Sequence, residues 1–319
     1  MPEIKRLAIL DDYQGVTLAL GPWDRLPESI QIEQYRNTVT GPALLERLKP
    51  CDAILAMRER TPFPRSLLER LPELRLLVTT GARNAAIDVA AAADLGVPVC
   101  GTGAPPTGTV ELTWALVLAV ARHVPEEDAG LRAGGWQRTV GTDLAGATLG
   151  VVGLGRLGTR VARIGQAFGM DVLAWSQNLT AERAAEAGVR RVERDELFAT
   201  ADVVTVHLVL SDRTRGLVGR DELARMKRSA ILVNTSRGPI VDEAALLRAL
   251  SEGRIAGAGI DVYDREPLPA DSPLRSAPRT VLTPHLGYVT RDTYRVFYGD
   301  AVEDVAAFLR GSPVRVISP

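Results

Sequence analysis

Soft metal ligands are scarce in this chain of 319 residues, which holds only 3 histidines (His123, His207 and His285) and 2 cysteines (Cys51 and Cys100). Ligands so few and so far apart make a zinc site hard to build, and no metal is expected. There is no Cys-x-x-Cys pair, and two lone thiols fit a reducing compartment better than a disulfide-stapled fold. Net charge is also slight: 38 Lys and Arg against 39 Asp and Glu leave −1, and only Lys5, Lys49 and Lys227 are lysines. A nearly neutral chain lacks the clustered positive charge that nucleic-acid backbones attract. Long apolar runs are missing too. The longest uncharged one, LTWALVLAVA at 112–121, stops at Glu111 and Arg122. It falls well short of the roughly 18–20 residues a membrane span needs, and is expected to be a buried helix. The opening MPEIKRLAILDD has an apolar run too short for a signal peptide and reads as a first strand. A cytoplasmic protein with no membrane and no nucleic-acid partner is expected.

What is present is an alternation. With 46% hydrophobic and 24% charged residues the chain is ordinary globular material, and its length suggests two domains at roughly 100–200 residues each. Short β-branched runs recur at 7–10, 30–35, 53–56, 76–79 and 97–100, with helical patterns at 64–71 and 87–95 among them. A second series follows at 149–152, 172–175, 203–208, 231–234, 258–262 and 281–283. Strands alternating with helices imply parallel sheets covered on both faces, and two series imply two α/β units. Between them GTGAPPTGT at 101–109 breaks all periodicity, and a looser glycine-rich stretch runs over 129–146. The last element is an amphipathic helix over 290–310, with Tyr294, Phe297, Ala301, Val305 and Phe308 at helical spacing.

The most informative short motif is Gly153-Leu154-Gly155-Arg156-Leu157-Gly158. Alone, GxGxxG is weak. Here the strand TLGVV precedes it, a helix with Leu157, Val161, Ile164 and Phe168 on one face follows, and DVLAW completes a βαβ unit. In such a unit Gly153 permits the tight turn, Gly155 lets a pyrophosphate approach the backbone, and Gly158 lets helix and strand pack closely. The helix N-terminus then presents N–H groups to the anion. An acidic residue about 20 positions on would take the ribose hydroxyl of NAD. Ser176 stands there, followed by Gln177 and Asn178. No carboxylate repels a 2′-phosphate and no arginine directly follows to attract one, so NAD and NADP both stay open, with a lean toward tolerance of NADP.

Three polar residues follow strands of the second series, where open α/β sheets place their ligands. Arg237 follows ILVN, Glu266 follows AGAGIDV, and His285 follows TVLTP. Singly each has a bland reading: a loop arginine, a turn before Pro267, a core histidine. Jointly, after a dinucleotide turn, they suit reduction of a 2-oxo acid. An Arg fork holds a carboxylate and polarises a carbonyl. A histidine delivers the proton as hydride arrives. A neighbouring carboxylate orients the imidazole and favours its protonated form. His123 reads as the end of the apolar helix, and His207, closing VVTVH, as structural or beside the cofactor.

These segments, with DVVTVHLVLSDRTRGLV at 202–218, LVNTSRGPIVDEAAL at 232–246, IDVYDREP at 260–267 and LTPHLGYVT at 282–290, resemble the D-isomer-specific 2-hydroxyacid dehydrogenases over essentially the full length. The resemblance implies that Arg237 binds substrate, Glu266 pairs with the histidine and His285 is the acid/base. It implies cofactor contacts at Gly153, Gly155, Arg156, Leu157, Gly158, Ser176, His207, Thr235, Asp261 and Thr80. Asp261 would lie beside the nicotinamide, with Thr235 touching it through the backbone. Thr80 opens a segment similar to the family's glycine-rich carboxylate loop, so Gly81, Ala82 and Arg83, with Arg60 and Tyr288, are expected substrate contacts. Arg83, Tyr288 and Val209 stand where the family often has glycine, a small residue and proline. With Arg58, Arg60 and Asn84, the first two would shape an unusual pocket. The family's two domains interleave: a flavodoxin-like substrate domain at 1–101 and 287–319, completed by the C-terminal helix, and a Rossmann NAD(P) domain at 102–286. Both are doubly wound parallel-sheet α/β folds. Members are usually homodimers, and the apolar 112–121 helix would fit that interface. The expected activity interconverts a small 2-oxo acid and a D-2-hydroxy acid, as in glyoxylate or hydroxypyruvate reductases. The alternative is a dinucleotide-sensing binding protein resembling transcriptional corepressors of this fold.

Overall fold

The computed structural model describes residues 3–319, to which every count below refers. The strands form where β-branched and aliphatic residues run together. β1 (Arg6–Ile9), β2 (Gln31–Gln34), β3 (Ala53–Ala56), β4 (Leu76–Thr79) and β5 (Val99–Gly101) alternate with α1 (Thr17–Leu20), α2 (Gly41–Leu48), α3 (Arg65–Leu68) and α4 (Val89–Asp94). After α5 (Thr107–Ala121) and α6 (Val124–Arg132) come β6 (Thr148–Val152), α7 (Arg156–Ala167), β7 (Asp171–Trp175), α8 (Ala181–Glu186), β8 (Arg190–Arg191) and α9 (Arg194–Thr200). Then follow β9 (Val203–Val206), α10 (Arg220–Arg225), β10 (Ile231–Asn234), α11 (Glu243–Ser251), β11 (Gly257–Ile260), β12 (Thr280–Leu282) and α12 (Arg291–Leu309).

The strands make two sheets, ordered β2-β1-β3-β4-β5 and β12-β11-β10-β9-β6-β7-β8, with parallel pairing throughout. β3, β4, β9 and β10 are buried at every position, because parallel sheets are covered on both faces and need no polar side. One compact unit comprises the residues up to Pro105 together with Tyr288–Pro319, and the other comprises Pro106–Gly287. The changes fall at 105/106 and 287/288, not at the 101/102 and 286/287 junctions read from the sequence. Side chains explain the first shift: Thr102 Oγ1 accepts from Gly81 N at 2.7 Å, and Gly103 N donates to Asp300 Oδ2 at 2.7 Å, so the Gly-Pro segment stays with the first unit.

In the first unit one face of the sheet packs Leu7, Ile9 and Val78 against Tyr294, Phe297, Tyr298 and Val305 of α12. The other face packs Leu48, Phe63 and Leu77. α12 starts where Thr290 caps it, its side chain accepting from Thr293 N at 3.2 Å. In the second unit α5 packs on β10, β11 and α7, burying Val110, Trp114, Leu116, Val117 and Val120. Its all-round apolar character is therefore accounted for inside this unit and does not by itself mark a dimer interface. The 129–146 stretch is not loose from its start: α6 continues to Arg132, with Glu126 and Glu127 in the first turn complementing the helix dipole. His123 lies beyond the last residue of α5, in the left-handed region at φ 53°. β8 went unforeseen because two exposed arginines carry no apolar pattern. No helix among the described residues is long and apolar enough to cross a membrane.

Candidate active site

In the second unit the strand order reverses at β6, which has β7 on one side and β9 on the other. Such a switch point opens a crevice beyond the carboxyl ends of the strands. The glycine turn follows β6 there. Gly153 has φ 104°, a conformation L side chains avoid, and its Cβ would fall 2.7 Å from His207 O. A Cβ on Gly158 would fall 2.0 Å from Gly153 O, so α7 starts flush against the turn. A Cβ on Gly155 would meet nothing within 4 Å. The space beside Gly155 is thus open, in front of helix amides that have no intrahelical partner. Arg156 is exposed there, while Leu157 turns inward onto the core.

His207 follows β9. Both its ring nitrogens are buried and have no hydrogen-bond partner among the described residues. Burial pushes the imidazole down to about 4, so it stays neutral near pH 7. An orphaned polar ring and an open cradle at Gly155, before a helix N-terminus, fit a dinucleotide. Ser176 directly follows β7 and is half-buried, its carbonyl accepting from Leu179 N at 3.0 Å, while Gln177 and Asn178 are exposed.

The three strand-end residues lie in loops that support one another. Asn234, the last residue of β10, is buried and braces the turn that follows: Nδ2 donates to Arg237 O at 3.0 Å, and Oδ1 accepts from Ser236 N at 3.0 Å. Ser236 Oγ donates to Leu208 O, and Arg237 Nη1 donates to Ser236 O at 2.8 Å. Thr235 shares a hydroxyl hydrogen bond of 2.8 Å with Thr113 of α5. Beyond β12, His285 Nδ1 meets Glu266 Oε2 at 2.6 Å, with side chains only 15% and 19% exposed. Glu266 Oε1 accepts from Tyr263 N at 3.0 Å.

Asp261 is fully buried, and its carboxylate is spent on the His285 loop. It accepts from Thr283 Oγ1 at 2.6 Å, Leu286 N at 2.6 Å and Gly287 N at 3.0 Å. Burial raises its pKa, opposed by these bonds and by the His285 charge. This carboxylate therefore positions His285, a task the resemblance did not supply. Sequence reasoning also missed Asn234, Thr283 and Tyr263, which act through neighbours. The only hint was their place directly at or after strand ends.

The remaining expected site residues belong to the first unit. Thr80 is buried and tied to Arg58: its Oγ1 accepts from Arg58 N at 2.9 Å and its carbonyl from Arg58 Nη1 at 3.1 Å. That gives Thr80 a local task. Gly81 has φ 92°, and a Cβ there would overlap Arg58 Nη1 at 1.7 Å. Ala82 and Arg83 are exposed at the tip of this loop. Arg60 donates to Tyr288 Oη from Nε and Nη2 at 3.3 Å each, its Cζ lying 5.8 Å from the ring centroid. Among the described residues no group of three or more His, Cys, Asp or Glu is arranged to hold a metal ion.

Comparison with known proteins agrees with this geometry. Residues 114–287 match the family model for the NAD-binding domain of D-isomer-specific 2-hydroxyacid dehydrogenases. The chain is 40% identical over 278 residues to a glyoxylate reductase of Aeropyrum pernix, covering 84% of this chain and 83% of the relative. It is 33% identical over 276 residues to a hydroxypyruvate reductase of Blautia hydrogenotrophica, covering 84% and 85%. The crystal structure of a phosphoglycerate oxidoreductase from Vibrio cholerae O395 matches with a TM-score of 0.92 at 37% identity, covering 97% of this chain and 100% of that one. A switch-point glycine turn, a half-buried His–Glu pair and these relatives converge: the chain belongs to the D-isomer-specific 2-hydroxyacid dehydrogenase family and is an NAD(P)-dependent oxidoreductase.

Proposed function

We propose that the protein reduces a small 2-oxo acid of the glyoxylate or hydroxypyruvate kind to the D-2-hydroxy acid, and runs the reverse reaction when the hydroxy acid is in excess. The observation that carries this reading is the 2.6 Å contact between His285 Nδ1 and Glu266 Oε2 at the same strand ends as Arg237. The nicotinamide cofactor supplies the hydride. Nδ1–H of His285 donates to Glu266, which leaves Nε2 as the atom that delivers the proton to the carbonyl oxygen. Glu266 stabilises the imidazolium and fixes the ring plane, and Arg237 anchors the carboxylate as a planar fork. Gly153, Gly155, Arg156, Leu157, Gly158, Ser176, His207 and Thr235 hold the dinucleotide. Gly81, Ala82, Arg83, Arg60 and Tyr288 contact the substrate, a role supported by the Arg60–Tyr288 pairing and the exposed loop tip.

Ser176 suits NADPH at least as well as NADH, since no carboxylate faces the 2′ position. Ser176→Asp should favour NADH over NADPH by about tenfold in kcat/KM, an energy of ~1.4 kcal/mol. The protein is cytoplasmic and a homodimer in this reading. Support for association comes from the second unit, where Trp136 is 74% and Val140 92% exposed beside exposed Val124 and Leu131. Crossing NADH and NADPH with glyoxylate, hydroxypyruvate, pyruvate, phenylpyruvate and branched 2-oxo acids tests the activity. Turnover of at least one acid is expected. Tight cofactor binding without oxidation on any acid would favour a dinucleotide sensor instead.

A further inference from the structure

Tyr263 touches all three loops that carry the proposed chemistry. It is 7% exposed, in the segment after β11. Its hydroxyl donates to Thr283 O at 2.9 Å and lies 3.3 Å from Ile260 O. The same Thr283 oxygen accepts the His285 amide at 3.0 Å. Its own amide donates to Glu266 Oε1, leaving Oε2 to His285. On its other side a Cβ at Gly238 would fall 2.1 Å from Tyr263 C and 2.4 Å from Tyr263 O, so the residue after Arg237 must be seated on the Tyr263 peptide.

His285 itself needs such support. It has φ 55°, which a non-glycine residue holds only when its surroundings over-determine it. Asp261 fixes the chain on both sides of it, through Thr283 Oγ1 and through the amides of Leu286 and Gly287. What remains is the carbonyl of Thr283, and Tyr263 holds that.

We propose that Tyr263 is a positioning residue for the reaction, keeping the Glu266 carboxylate, the His285 backbone and the Arg237 loop in one register. This rests on the roles given above to His285, Glu266 and Arg237. A misplacement of about 1 Å at a reacting group can cost up to ~10²-fold in rate, so a single hydroxyl that fixes the His285 turn has leverage without touching substrate. Burial, then Asp261 and Glu266, push the phenol up to about 12, against Arg275, so it stays a donor throughout the working range.

Tyr263→Phe removes the hydroxyl and keeps the ring, the amide bond to Glu266 and the seat for Gly238. The expected result is kcat for reduction lowered about tenfold, KM for the 2-oxo acid and NADPH affinity by fluorescence titration nearly unchanged, and a displaced alkaline limb in the pH profile of kcat, where the proton donor is lost. Wild-type kcat and pH profile in Tyr263→Phe would overturn the proposal. So would a lowered melting temperature with the pH profile unmoved, which would make Tyr263 structural only. His285→Ala run in parallel separates the two levels. If it keeps turnover, the acid/base reading fails and this proposal fails with it. If it is dead while Tyr263→Phe is normal, only the positioning role falls.

Discussion

In the first unit the carboxylates just beyond β1 are saturated by their own neighbours. Asp11 accepts from Thr38 at 2.5 Å and Thr61 at 2.7 Å, and Asp12 accepts from Val16 N at 3.2 Å, Thr17 N at 3.0 Å and Gln34. Asn84, beyond β4, donates to Arg58 O and Thr79 Oγ1 and accepts from Ala86 N. In the second unit the turn after β6 leaves open space at Gly155, and His207 after β9 has two buried nitrogens with no partner among the described residues. Both sheets are doubly wound and parallel, and both place polar groups at the carboxyl ends of strands. The difference teaches that this topology supplies a location for chemistry and not the chemistry itself. Where strand-end groups close on themselves, as Asp11, Asp12 and Asn84 do, they brace the fold. Where they leave donors, acceptors and space unsatisfied, they make a site.

Substitutions can break or sharpen that contrast. The largest effect is expected at His285. His285→Ala should lower kcat/KM by ~10²–10⁴-fold while NADPH affinity holds, and retained turnover would remove the chemistry from these strand ends. Next comes acid. With both ring nitrogens buried, His207 is pushed down to about 4 in the folded protein, against about 6.5 when unfolded. The unfolded chain therefore binds the extra proton between those values. Stability from this group is complete above about pH 6.5 and falls as pH drops toward 4, by up to ~3 kcal/mol. Thermal melts should show the wild type losing up to that much stability relative to His207→Gln as pH falls from about 6.5 to about 4, and a difference that stays constant across the window would overturn this.

A smaller loss is expected in the scaffold. Asp12→Ala strands buried donors and should cost ~2 kcal/mol of stability, with the NADPH dissociation constant unchanged. A shift in that constant would show that the first unit is not merely a closed network. Gly155→Ala should do the reverse. A Cβ there meets nothing, so the melting temperature without cofactor should hold, yet it fills the open cradle and should weaken NADPH binding about tenfold or more, ~1.4 kcal/mol. Unchanged binding would mean that no phosphate approaches Gly155.

Much of the site was legible because it is carried by strand ends, and strands are legible. A run such as ILVN can only be a buried strand here, so the residue placed after it is located by counting, and Arg237, Glu266 and His285 were found that way. Asp261 was located too, but its task was not. Whether a carboxylate beyond a strand faces a ligand or a backbone turn depends on three donors from a segment more than twenty residues away. Tyr263 was invisible for the same reason: its value lies in one carbonyl, one carboxylate and one glycine brought together by the crossing of three loops.

The alternation of β-branched and helical runs and the glycine motif determined the class of fold and the glycine turn, and the scarcity of histidine left His285 as the candidate for acid/base work, because these depend on local pattern and on composition. Tertiary structure alone decided which polar groups are satisfied and which are left open, since a hydrogen-bond partner is set by packing between distant segments. It also decided that α5 spends its apolar surface on β10, β11 and α7, and that the left-handed turn at His285 is held by Asp261 and Tyr263. Sequence names groups suited to the proposed chemistry, and only the packing of the strand-end loops brings His285 Nδ1 and Glu266 Oε2 to 2.6 Å.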